Sequence, residues 1–395
     1  MSHGGRITAI PDVADRLIGE IDHGIDGPTF LVLGGMHGNE PAGVEAAQRV
    51  LDELALREIR IQGRIVACRG NLAALASGKR FHDRDLNRRW YAESVEELLQ
   101  RSTVEDSIED EQQRGLLSLF GACYQARKGP IVFLDLHTSS AEGAPFSCLA
   151  DTLPNRRIAD ALPVPMILGL EECIDGAVLE WFNGRGQIGI AFEGGQHEAA
   201  SSIDNLESAV WLALAASGVV RTQDADVLHH RQRLESAARG APHRIEIRYR
   251  HVITPEDGFV MKQGFKSFDR VERGQHMGDG PEGPIHAHES GLVLLPLYQG
   301  QGEDGFFLAR RIPGFWFNLS AIIRRSGLSA ALALLPGVRR DPADPDTLLV
   351  NRKIARFLAV QVFHLFGYRK LRSRDKHLAF SRRTAAREAF RAVPR

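Results

Sequence analysis

The first 220 residues alternate between short, continuously apolar runs and longer stretches in which apolar residues recur every three or four positions. Thr29–Leu33, Arg64–Ala67, Ile131–Leu136 and Gly189–Phe192 are too short for helices and end in glycine or polar residues. They read as strands buried on both faces. Gly43–Leu56, Val95–Leu99, Gln112–Gln125 and Ile203–Ala216 carry the helical spacing. Strands alternating with helices predict an α/β layer: a mixed, largely parallel central sheet flanked by helices. Near residue 240 the pattern changes. From Arg244 to Arg310, short strand-like runs lie between turn signals such as PEDG, GDGPEG and GQGEDG, which predicts a small β-rich unit of the barrel-sandwich kind. Beyond Pro313 the chain turns basic and is expected to be helical, with one long apolar-periodic helix over Leu348–Phe366. The expected units are therefore 1–240, 241–312 and 313–395.

Composition narrows the function classes. The 395 residues leave room for two or three domains. With 49 Lys and Arg against 50 Asp and Glu, the net charge of −1 gives no global electrostatic case for nucleic acid or membrane binding. No apolar run approaches the roughly 18 residues that span a bilayer, and the N-terminus lacks the features of a secretory signal. Cys68, Cys123, Cys148 and Cys173 are scattered and form no CxxC pair, as expected of reduced thiols in a cytoplasmic protein. The acidic stretch Glu93–Glu111 reads as solvated surface. The basic tail reads as an appendage packed on the core or on a second subunit of a homo-oligomer, with a patch for an acidic partner as the lesser reading.

The candidate chemistry lies in the loops that follow the four strands: GGMHGNE, RGNLAAL, HTSS and EGGQH. Open α/β sheets place their sites at that end. His37 and Glu40 stand together on a glycine-rich bend. They do not form the helical HExxH pair, so a third ligand must come from elsewhere, and His137 directly follows the run Ile131–Leu136. A His, Glu, His set leaves one position open for water, as catalytic zinc requires. A lone His at a strand end is ordinarily a satisfied polar residue; three candidates at strand ends shift the balance. The segment RFHDRDLNR adds Arg80, Asn87 and Arg88, whose guanidinium forks suit carboxylates. The bland alternative is a basic turn paired internally with Asp83 and Asp85. His197 is a further pocket candidate, Asp135 reads as structural, and His286 and His288 read as a solvated hairpin.

Taken in order, GGMHGNE, RFHDRDLNR, DLH and FEGGQ resemble the succinylglutamate desuccinylase/aspartoacylase family, part of the wider zinc carboxypeptidase fold group, over roughly residues 28–310. The resemblance implies that His37, Glu40 and His137 hold one Zn²⁺ per chain and that Glu193 is the general base. It also implies that Arg80 polarises the scissile carbonyl, that Asn87 and Arg88 hold a substrate carboxylate, and that the β-rich unit closes over the site. The implied reaction is hydrolysis of the amide of an N-acyl amino acid, or a similar small acidic amide, by a metal-activated water. Aspartoacylases carry a further Arg about ten residues before the base and a Tyr from the β-rich unit. Here Asn183 stands at the first position, which leaves Arg185 and Tyr298 as the nearest substrate-binding candidates. Two other readings compete: a metallocarboxypeptidase acting on peptides, which needs an open groove, and a non-catalytic carboxylate-binding relative, which has no need of Glu193. A His/Glu donor set accepts several divalent metals.

Overall fold

The four apolar runs lie side by side in the computed structural model, which describes residues 14–326, 332–342, 344, 346–351, 363, 365–370 and 377–382. The chain forms β1 (Leu17–Asp22), β2 (Thr29–Gly34), β3 (Arg64–Arg69), β4 (Ile131–Ser139), β5 (Phe146–Leu149), β6 (Met166–Leu168) and β7 (Ile188–Gln196). β3, β2, β4 and β7 are parallel neighbours in that order, with β1 antiparallel at the edge and β5 antiparallel beyond β7. Parallel neighbours require crossovers. These contain α1 (Ala42–Leu56), α2 (Leu72–Ser77), α3 (Ala92–Gln100), α4 (Ile108–Ala126), α5 (Leu153–Ala159) and α6 (Val178–Gly184), and α7 (Ala200–Ser217) follows β7. Phe30 and Val32 pack with Val50, Leu54 and Trp211 on one face of the sheet. Leu31 and Leu33 pack with Val95, Phe120 and Phe182 on the other. Burial on both faces is why the strands read as unbroken apolar runs rather than alternating ones.

After α8 (Val227–Ala237) the chain forms β8 (Arg244–Val252), β9 (Val260–Met261), β10 (Arg270–Val271), β11 (His276–Gly280), β12 (Gly283–His286), β13 (Gly291–Leu294) and β14 (Asp304–Arg311). β8 pairs with β6, so β8, β14, β13 and β10 continue the main sheet to eleven strands. β12, β11 and β9 make a separate three-stranded sheet. The chain then enters α9 (Gly314–Arg325), which packs on the core. Phe317 lies 3.7 Å beneath the Arg156 guanidinium, and Arg324 pairs with Asp151 at 2.7 Å.

The rest of the extension differs from the helical expectation. β15 (Val338–Arg340), β16 (Thr347–Asn351), β17 (Tyr368–Lys370) and β18 (His377–Arg382) form a four-stranded antiparallel sheet. Where the helix Leu348–Phe366 was expected to begin, the chain is the strand β16, and residues 352–362 lie outside the described residues. Leu348 and Val350 are buried with Tyr368 and Phe380; a short apolar run fits either element, and pairing with β15 and β18 decides it. No helix among the described residues is long and apolar enough to cross a membrane.

The bend after β2 depends on glycine in two different ways. Gly35 has φ +71°, in the left-handed region. Gly38 is needed for close approach: a Cβ there would stand 2.0 Å from the carbonyl carbon of Ala74 and 2.4 Å from the carbonyl oxygen of Lys79. Gly35→Ala is expected to lower stability by about 1–2 kcal/mol through left-handed strain. Gly38→Ala should lower it further, because two backbone segments must separate. Urea-unfolding midpoints check this, and equal midpoints would contradict the close-approach argument.

Candidate active site

Glu40 is the centre of the site. The turn that closes from Glu40 N–H to the His37 carbonyl, 3.2 Å, brings both side chains to one side of the bend. β4 runs parallel to β2 with Gly34 opposite Leu136, so His137 stands one residue past the bend's origin. Glu40 Oε1 lies 2.9 Å from His37 Nδ1, and Oε2 lies 3.0 Å from His137 Nδ1. The Thr138 N–H donates to Oε2 at 3.0 Å, and Arg80 donates to Oε1 at 3.2 Å. The three candidate donor atoms fall within 4.8 Å of one another, the one such cluster among the described residues.

The outer nitrogens of both rings face carboxylates. His37 Nε2 is 3.1 Å from Asp85 and His137 Nε2 is 2.8 Å from Asp135. Such partners fix the ring orientation and hold the ring proton on the outer nitrogen, which turns the inner nitrogen toward an ion. Burial would raise the Glu40 pKa, but the two imidazoles outweigh it and hold the carboxyl well below its ordinary range. Burial would lower the His137 pKa, yet Asp135 and Glu40 hold it well above the ordinary value. A cation at this position takes the place of a proton.

Glu193 stands opposite His137 in the β4–β7 register. Its Oε2 is enclosed and has no hydrogen-bond partner among the described residues. Burial pushes its pKa up to about 8, with His137 and Arg80 pulling against it and Glu40 and Asp135 adding to it.

The loop between α2 and α3 carries the candidate clamp. Arg80 bridges Glu40 and Asp85, the latter at 3.1 Å. Asn87 is buried, and its Oδ1 accepts from the Val178 N–H at 2.8 Å, so its NH2 is the end left for a ligand. Arg88 does not stand open. It donates to Asp304 at 2.8 Å, with Glu303 3.7 Å away, and Asp304 is also held by Arg250.

The two remaining candidates lie elsewhere. Arg185 stacks on Trp181 at 4.0 Å and donates to the Trp181 carbonyl. Tyr298 uses its hydroxyl on the backbone of Lys262 and Phe265. Neither lines the cavity. Gln299, next to Tyr298, does: it meets Asn39 at 2.7 Å and His197 at 3.0 Å, and His197 in turn meets Thr138 at 2.7 Å.

Part of the acidic stretch expected at the surface is internal. Glu109 is buried and accepts from Asn71 and from the backbone N–H groups of His82 and Asp83, so it holds the loop that presents Arg80 and Arg88. Glu109, Gln299 and Asp304 are contributors the sequence reading did not single out, whereas Asp85 was named there as an internal partner of the basic turn. Asp85 lies inside the DRDLNR motif and was legible as a partner for arginine. The other three bear no local signal.

Residues 26–183 match the succinylglutamate desuccinylase/aspartoacylase catalytic domain. The matched segment contains His37, Glu40, Arg80, Asn87, Arg88 and His137 and ends before Glu193. The succinylglutamate desuccinylase of Pseudomonas paraeruginosa is 38% identical over 71 residues, 18% of this chain and 20% of that protein. The one from Pseudomonas putida is 40% identical over 67 residues, 17% of this chain and 19% of that protein. The chain thus spans about a fifth of the length of the curated relatives it matches. A solved succinylglutamate desuccinylase/aspartoacylase from Rhodobacter sphaeroides superposes with TM-score 0.51 at 19% identity, covering 73% of this chain and 87% of that one. One from Vibrio parahaemolyticus gives TM-score 0.51 at 16% identity, covering 74% and 84%. These two show a shared fold.

Asp85 supports a stability prediction with a definite pH dependence. Burial would raise its pKa, but His37, Arg88 and Arg80 hold it well below the ordinary range. Its carboxylate also accepts from the Asn87 N–H at 2.8 Å. A carboxyl depressed in the folded state stabilises above its unfolded pKa, and that stabilisation is lost as pH falls through the folded value. Asp85→Asn is therefore expected to lower stability by about 3 kcal/mol at pH 7. The gap between wild type and variant should narrow from about pH 5 downward. Denaturant titrations at several pH values measure it; a gap independent of pH would mean that shape, not charge, is what Asp85 contributes.

Proposed function

We propose that this chain is a cytoplasmic zinc-dependent hydrolase. It cleaves the amide bond of an N-acyl amino acid or a similar small carboxylate-bearing amide. In this reading residues 1–240 form the catalytic unit, 241–312 its β-rich cover and 313–395 an extension. One observation carries it: three metal-ligand side chains converge within 4.8 Å beside a carboxyl, Glu193, whose Oε2 has no partner among the described residues. A mere carboxylate binder has no use for that group.

The residues present suit zinc. Two imidazoles and a carboxylate leave a coordination position open, and each imidazole is already oriented by a carboxylate behind it. A zinc ion held by His37, Glu40 and His137 would supply Lewis acidity, favouring the ionised forms of a nearby water and of the Glu193 carboxyl. Glu193 then accepts the proton of the attacking water and returns it to the leaving amine. Arg80, fixed by Glu40 and Asp85, presents a cation to the oxygen on which charge develops. The Asn87 NH2 serves as a fixed donor for orienting the substrate.

The loop between β13 and β14 supports a small substrate over a peptide. Gln299 bonds to Asn39 and His197, and Gln301 donates to the Phe81 carbonyl at 3.2 Å, so the loop crosses the mouth that a peptide would need open.

The test combines metal content with amine release. Wild-type protein supplied with zinc is expected to hold about one zinc per chain by mass spectrometry, and His37→Ala to lose it. Glu193→Gln should retain the metal and lose roughly 10²–10⁴-fold in amine release from N-acyl amino acids. Undiminished turnover in Glu193→Gln would remove the base assignment. Absence of zinc from supplied wild type would remove the metal reading.

A further inference from the structure

The cavity continues past the metal-ligand cluster along β7. Side chains alternate on a strand, so Glu193 and Ala191 face the cavity while Phe192 and Ile190 are buried in the core behind. Gly189 is next on the same face, standing against Leu179 and Asn183. Below the base the wall is therefore the Ala191 methyl group alone, and the recess beside it is closed beyond by Leu179 and Asn183, which stand over Gly189. Leu149, Leu170, Ile174, Leu179 and Phe307 form its other sides.

The polar groups near this recess do not suit a second carboxylate. Asn183 is neutral; its Oδ1 accepts from Asn155 at 2.8 Å, and its enclosed Nδ2 has no partner among the described residues. Arg80 and Arg88 are the guanidinium groups among the described residues that line the cavity. Arg80 belongs to Glu40 and Asp85, and Arg88 to Asp304. Asp304 is shared with Arg250, and Glu303 flanks both arginines, at 3.7 and 3.9 Å. Two arginines thus face two carboxylates, and the clamp is neutralised from within the chain. Glu180, also on the lining, is paired with Arg369 at 2.7 Å. An anion entering the recess would be desolvated against apolar walls with no cation to receive it, which is strongly unfavourable. An apolar group would gain by burial.

We propose that the recess takes an uncharged, apolar substituent of the substrate, so that this enzyme prefers N-acyl amino acids with an aliphatic or aromatic group over dicarboxylic ones. The proposal rests on the deacylase reading for its chemistry, but the recess itself is a property of the apo protein. Asp304 is then a specificity-determining residue: it holds Arg88 away from a substrate carboxylate.

The experiment has a kinetic and a binding arm. Zinc-loaded wild type is assayed for amine release from N-acetyl, N-hexanoyl and N-succinyl derivatives of leucine and glutamate. The most apolar members are expected to exceed N-succinylglutamate in kcat/KM by about 100-fold or more, given about tenfold or more per methylene in an apolar pocket. Ala191→Leu, which fills the recess, should reduce the ratio of the long apolar substrate to the short one by about tenfold. Asp304→Asn should raise the relative rate on the dicarboxylic members. Faster turnover of the dicarboxylic substrates by wild type, or a size ratio unmoved in Ala191→Leu, overturns the proposal. Calorimetry of hexanoate and leucine against succinate and glutamate on Glu193→Gln separates the two readings. Tighter binding of the apolar pair without any amine release from wild type would sustain the recess and sink the deacylase reading. Tighter binding of the dicarboxylates would sink the recess alone.

Discussion

One buried carboxylate joins the segments of this site. Glu40 meets His37 on its own bend, His137 and the Thr138 N–H on β4, and Arg80 on the loop before α3. Each of those groups is brought there by a different element, so the Glu40 position requires the β2–β4 register, the close backbone approach at Gly38 and the order of the 78–90 loop together. Around it the acids outnumber the permanent cations: Glu40, Asp85, Asp135 and Glu193 face Arg80, while Arg88 is drawn to Asp304. Burial pushes the Glu193 pKa up, and Asp135 and Glu40 hold that of His137 well above its ordinary value. A divalent ion relieves the same excess at one point. His37, Glu40 and His137 are the one group of three such donors among the described residues.

How much of this was legible in the sequence follows from distance along the chain. The strands that carry His37, His137 and Glu193 announce themselves as apolar runs because both faces of the sheet are covered, and the loops after them are local, so residue types and order sufficed. Arg88 shows the limit. Its residue type and motif position pointed to a carboxylate clamp, but its partner, Asp304, lies 216 residues away in the β-rich segment, and nothing local links the two. Arg185 and Tyr298 were chosen by proximity in sequence. One stacks on an indole at the end of α6, and the other is consumed by backbone carbonyls, while its neighbour Gln299 turns inward. Glu109 failed for the opposite reason: a run of acids reads as solvated, yet one member turned inward to organise a loop of backbone donors. At Leu348 the apolar run fitted strand and helix equally, and only pairing across β15 and β18 separates them.

The β-rich segment meets the site through the loop between β13 and β14, with Phe307 of β14 also on the cavity wall. Between β13 and β14 the chain bonds to Asn39, Phe81, Ser140 and His197, groups that belong to the bend after β2, the clamp loop and the ends of β4 and β7. Glu303 at the end of the loop and Asp304 at the start of β14 occupy the Arg88 guanidinium. The His37, Glu40, His137 and Glu193 cluster, by contrast, lies on or just after β2, β4 and β7. A comparison that matches residues 26–183 captures most of that machinery and none of the loop. Such a match argues for chemistry while leaving substrate to be read from the contacts that Asp304, Ala191 and Asn183 make in this particular chain.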